Sequence, residues 1–132
     1  METSSNTEHL GDIPTVAEYK EGFLACRPAL RSKAGWSTPM EMLKANYYAP
    51  GHTVTASELA ETVRLASYKS ANLAYGKFAK ALCGELGRTP KYNVAILVSF
   101  DGTRPDGENV QWTMLPQVVA ALEELGWVKP RS

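Results

Sequence analysis

Three times in the first half of the chain a threonine is followed, three residues on, by a glutamate: Thr15 and Glu18, Thr38 and Glu41, Thr55 and Glu58. Each pair matches the capping box, in which the threonine side chain and the glutamate side chain satisfy each other's backbone N–H groups at a helix start. Three starts at this spacing allow only short helices, so the fold must be assembled from packing between them.

The first helix carries Val16, Tyr19, Phe23, Leu24 and Cys26 on one stripe and ends near Arg27, because Pro28 follows. Residues 29–36 read as a connector without a period. The second helix has Pro39 at its favoured first position and runs to about Tyr48. It buries Met40 or Met42, Leu43 and Tyr47, and Ala49, Pro50 and Gly51 stop it. Residues 52–55 suit a stub of strand, and residues 56–63 a compact helix with Leu59, Ala60 and Val63 on one side. A fourth helix starts near Lys69 and reaches Leu86, with Gly87 as its C-cap. Residues 93–100 are the strongest strand expectation in the chain. The turn-forming residues 101–109 and the alternating residues 110–114 complete a hairpin. Pro116 opens a last helix striped by Val119, Leu122 and Leu125.

This order predicts an α+β fold of the winged helix-turn-helix type: a helical core with a C-terminal β-hairpin wing, plus additional N- and C-terminal helices. Residues 1–13 are polar and aperiodic and read as a disordered tail, leaving residues 14–132 as a single winged-helix domain. No apolar run reaches the roughly 20 residues of a membrane span, and the N-terminus has no signal-peptide pattern. Cys26 and Cys83 lie among apolar neighbours and read as buried free thiols. A cytoplasmic location follows by default, with no membrane partner.

Charge is more telling in its distribution than in its total. The 14 Lys and Arg balance the 14 Asp and Glu. Residues 1–22 nevertheless hold Glu2, Glu8, Asp12, Glu18 and Glu21 against Lys20, and residues 64–91 hold Arg64, Lys69, Lys77, Lys80, Arg88 and Lys91 against Glu85. The basic segment coincides with the fourth helix. A period of 3.6 places Ala71, Ala74, Tyr75, Phe78, Ala81, Leu82 and Leu86 on its core side, and Lys69, Asn72, Gly76, Ala79, Lys80 and Cys83 opposite, with Leu73 and Lys77 on the flanks. Gly76 costs this helix about 1 kcal/mol relative to alanine. On the lysine side it would let a ligand approach the backbone; on the core side it would serve a helix–helix contact.

The lysine side suits duplex DNA. Lys69, Ser70, Asn72, Leu73, Gly76, Lys77 and Lys80 are expected to meet the major groove, with Asn72 able to pair with adenine. Arg64, Arg88, Lys91 and Arg104 are expected at phosphates. Ser67 stands at the helix start, where a phosphate is well placed. Tyr75 reads as a core residue with its hydroxyl at the boundary, and Tyr68 as either a packing or a contact residue.

Enzymatic signatures are wanting. His9 and His52 have no partner at metal-ligand spacing, and none of the common metal, nucleotide or hydrolase motifs is present. Glu123 and Glu124 look like a solvated face, and Asp101, Asp106 and Glu108 like turn residues. No catalytic residue, metal or cofactor is expected.

The segments YYAPGHTVTASELA (47–60), YKSANLAYGKFA (68–79) and ALEELGWV (121–128) resemble a family of small bacterial hypothetical proteins, and domains that stand beside HNH-type nuclease domains in restriction-like proteins. The resemblance spans roughly residues 16–128. It implies DNA binding in a restriction, defence or mobile-element setting, possible recognition of modified DNA, and no cleavage, because no HNH segment is present. The expectation is therefore a non-catalytic double-stranded DNA-binding protein. The alternative is a protein-interaction winged helix, an inhibitor or adaptor of a nucleic-acid machine, with a protein partner or a homodimer.

Overall fold

Two of the three capping boxes close in the computed structural model, which describes residues 12–26, 31–32, 35–36 and 38–130, with side chains for 12–26 and 39–130. At α1 (Val16–Ala25) the Glu18 N–H donates to Thr15 Oγ1 at 3.1 Å, and the Thr15 N–H to Glu18 Oε1 at 2.8 Å. At α3 (Ala56–Thr62) Thr55 and Glu58 repeat the exchange at 3.1 and 2.9 Å. The side chain of Thr38, which begins α2 (Thr38–Tyr48), lies outside the described residues, as do residues 1–11 of the expected tail and residues 27–30 after α1. The expected connector contains a small antiparallel pair, β1 (Arg31–Ser32) and β2 (Gly35–Trp36).

After α2, Pro50 and Gly51 form a tight turn in which Gly51 (φ 63°) and His52 (φ 57°) both take left-handed backbone. That turn delivers β3 (Thr53–Thr55) directly into α3. The long helix α4 (Tyr68–Leu86) follows and is capped by Gly87 at φ 67°, as the sequence indicates. The hairpin is β4 (Val98–Phe100) and β5 (Gln111–Met114), and α5 (Pro116–Glu124) closes the chain. Among the described residues the protein is thus α+β, with five helices and a three-stranded antiparallel sheet in the order β3-β5-β4. Val54 lies opposite Trp112, which in turn lies opposite Phe100.

The strand expected over residues 93–100 is only three residues long. Asn93–Ile96 form a 3-10 turn instead. Val94, Ala95, Ile96, Leu97 and Val98 are all buried, so neither face of this run is solvated. A continuous apolar run carries no period to distinguish a strand from a turn packed on all sides.

The buried stripe of α4 is also rotated from expectation. Ala71, Tyr75, Phe78, Ala79, Leu82 and Cys83 are buried, while Ala74 is half-buried and Ala81 exposed. The rotation follows from two neighbours on one flank, α1 and the 93–96 turn, which bury Ala79 and Cys83. On α1, Leu24 is exposed, and the interior is filled by Tyr19, Gly22, Phe23 and Cys26. A Cβ at Gly22 would stand 2.9 Å from Leu82 Cδ1 and 3.0 Å from Leu86 Cδ2, so a larger residue there would have to displace these leucine side chains of α4.

Two buried polar side chains of the core, Asn46 and Tyr19, are satisfied as burial demands. Asn46 is fully buried. Its Nδ2 donates to the carbonyls of His52 at 2.9 Å and Trp112 at 3.5 Å, and its Oδ1 accepts from the Tyr75 hydroxyl at 3.0 Å. The Tyr75 hydroxyl is therefore in the interior rather than at the boundary. Tyr19 donates to the Ile96 carbonyl at 2.7 Å. Glu123 and Glu124 are more than a solvated face: Glu123 Oε2 accepts from Tyr47 at 2.5 Å, and Glu124 pairs with Lys20 of α1 at 3.0 Å. Cys26 and Cys83 are both buried free thiols.

Candidate nucleic-acid interface

The face of α4 away from α1 is built by helical spacing alone. Lys69, Leu73, Lys77 and Lys80 are exposed along it, and Ser70, Asn72 and Gly76 are half-buried between them. Among the described residues no carboxylate pairs with Lys69, Lys77 or Lys80. Leu73 is 65% exposed, an unusual position for a leucine on the longest helix. Nothing stands within 4 Å of where a Cβ of Gly76 would project. Gly76 therefore belongs to the lysine side, and the helix–helix contact sits at Gly22.

The second wall is the hairpin tip, residues 101–110, which folds back onto the helices. The buried Trp112 indole donates to the Pro105 carbonyl at 3.0 Å, and Asn72 Nδ2 donates to the Asp106 carbonyl at 3.0 Å. Ser57 of α3 donates to the Glu108 carbonyl at 3.2 Å, and Asp101 accepts the Gln111 N–H at 2.7 Å. The Asp106 carboxylate is held by Arg104 at 2.9 Å. Residues 91–94 form the third wall, where the Lys91 ammonium lies 5.5 Å from the centre of the Tyr92 ring. Together the walls enclose an open groove of about 380 Å³ whose lining includes Asn72, Leu73, Gly76, Lys77, Lys80 and Lys91.

Most of the residues expected to meet DNA thus share one surface. Lys69 and Ser70 continue it toward the start of α4, where Ser67 is the N-cap but makes no side-chain capping bond. Arg104 stands on the tip, 70% exposed even in its ion pair. Arg64 is exposed in the α3–α4 turn with φ 61°, outside the groove lining. Arg88 does something else. Its guanidinium donates to the carbonyls of Leu86 at 2.9 Å and Asp12 at 3.3 Å and faces Glu18 at 3.7 Å, fastening the end of α4 to the start of α1. The Glu18 carboxyl is held below its ordinary range, chiefly by the Thr15 backbone N–H and further by Arg88.

Asn72 also departs from its expected role. With Nδ2 committed to Asp106, it no longer offers the free donor–acceptor pair that adenine's major-groove edge requires. The sequence pattern does not point to Tyr92, Pro105 or Trp112 as walls; the alternation of residues 110–114 indicates only a returning strand. Among the described residues no group of three or more His, Cys, Asp or Glu is arranged to hold a metal ion, and no helix is long and apolar enough to cross a membrane. Protein-family models, curated proteins and solved structures were compared with the chain, and none matches it.

Proposed function

We propose that this protein is a winged-helix module that binds double-stranded DNA without catalysing a reaction. The succession α2, β3, α3, α4, β4, β5 and the sheet order β3-β5-β4 support that reading of the fold, with α4 as the helix that enters the major groove and residues 101–110 as the wing. The observation that carries the function is Gly76: a glycine in mid-helix, with open space before it, between Lys77, Lys80 and Lys91 on the walls of a groove. Unpaired lysines supply phosphate affinity, and the bare backbone allows close approach. The contacts to phosphates come from Lys69, Lys77, Lys80, Lys91 and Arg64, while Arg88 is withdrawn into the fold. A setting in restriction or mobile-element biology is part of this proposal and rests on the sequence resemblance alone.

A second reading is favoured by one observation. The 65% exposure of Leu73 suits an apolar contact with a protein partner, as in an adaptor or inhibitor of a nucleic-acid machine.

Salt separates the two. In mobility-shift titrations with random-sequence duplex at low and physiological ionic strength, duplex affinity is expected to fall with a log–log slope of about one unit per phosphate contact. Lys77→Glu/Lys80→Glu is expected to abolish the shift. Equal binding by wild type and double variant would remove the DNA reading.

A further inference from the structure

We infer that the groove beside Gly76 receives one unstacked nucleobase, with the neighbouring phosphates on Lys77, Lys80 and Lys91. This rests on the DNA-binding reading and specifies what the groove holds. A helix that only reads base edges in the major groove needs a convex face. Here α4 forms one side of an open recess, bordered also by residues 91–94 and by the hairpin tip. The edge of a paired base presents one side only and leaves such a recess unfilled, whereas a base swung out of the stack enters it.

The lining has the three parts a single nucleotide requires. Leu73 and the half-buried Tyr92 give an apolar and aromatic bed for a base, over a floor in which Pro105 and Trp112 are buried. Lys77, Lys80 and Lys91 give cations for the phosphates on either side, and Asp106, which also lines the groove, is paired with Arg104 at 2.9 Å. The third part is Asn72. Its Nδ2 is spent on the Asp106 carbonyl, and its Oδ1 is buried with no hydrogen-bond partner. A lone acceptor calls for an N–H donor. Every nucleobase carries one on its Watson–Crick edge, where pairing occupies it in a duplex and unpairing releases it. Gly76 leaves the entry open: a side chain there would occupy the groove and meet nothing of the protein at its Cβ.

The test uses the whole chain in anisotropy titrations against two bulged duplexes, one with a bulged adenine and one with an abasic site at the same position, beside the fully paired duplex. The bulged pair carries the same number of phosphates, so the electrostatic contribution cancels. Wild type is expected to prefer the adenine bulge by about tenfold or more. Gly76→Leu is expected to erase that preference while melting no lower than wild type, which separates a filled groove from a damaged fold. Equal affinity of wild type for both bulges, with paired-duplex binding still sensitive to Lys77→Glu/Lys80→Glu, overturns the base pocket and leaves the DNA reading standing. Failure to bind any of the three duplexes overturns both. Uptake of an acidic, leucine-bearing peptide in that case assigns the groove to a protein segment.

Discussion

The two long sides of α4 treat a missing side chain in opposite ways. On one side a glycine of the neighbouring helix, Gly22, lies so close that a single added carbon would meet Leu82 at 2.9 Å; on the other, Gly76 of α4 itself faces open space. Both positions cost helix propensity. At Gly22 the cost is offset by burial of Tyr19 and Phe23 against α4. At Gly76 no packing within the protein offsets it. Gly84 of the same helix faces open space too, so what sets Gly76 apart is its place on the groove wall beside Lys77 and Lys80.

Substitution at these two positions gives the sharpest contrast. Gly22→Val forces branched carbons into the α1–α4 contact and is expected to cost about 1–3 kcal/mol, read as a lower urea midpoint at unchanged slope. Gly76→Ala is expected to act with the opposite sign, raising stability by roughly 1 kcal/mol. If Gly76→Ala destabilises, the space before Gly76 is occupied and the contrast collapses.

A smaller effect, vanishing near neutral pH, comes from titration on the closed side. Burial pushes the Cys83 thiol up to about 11 from an ordinary value near 9, and raises the Tyr75 and Tyr19 phenols as well. The folded state therefore holds these protons more tightly than the unfolded chain. The stability Cys83 contributes is complete below its unfolded value near 9 and is lost as pH rises through about 9 to 11, while the tyrosine contributions begin to be lost only above about 10. Denaturation midpoints followed across that range should fall, and less steeply in Cys83→Ala. Midpoints that hold constant up to pH 11 would show that the closed side admits water.

What the sequence disclosed was whatever is decided within a few residues. The Thr15 and Thr55 caps, the stop at Pro50, the left-handed Gly87 and the outward placement of Gly76 all follow from local geometry, and each stands as expected. Errors arose where a distant segment decides. Ala79 and Cys83 are buried because α1 and the 93–96 turn cover their flank, which no helical period records. Residues 93–96 bend because their apolar run has no solvated face to set a strand register. Charge alone places Arg88 with the basic segment, because its acidic partner Glu18 is distant in sequence. The groove was half legible: its α4 wall obeys the helical period, but its other wall exists because the tip returns to Asn72 and Trp112.

That returning tip has a kinetic and entropic consequence. Loops rich in glycine lose considerable freedom when a ligand orders them, and the loss is subtracted from affinity. Residues 101–110 contain Gly102 and Gly107, yet hydrogen bonds from Ser57, Asn72 and the Trp112 indole already anchor their backbone. The ordering is therefore complete before any encounter. An encounter at this surface should need little loop closure on the protein side, leaving rearrangement to the ligand.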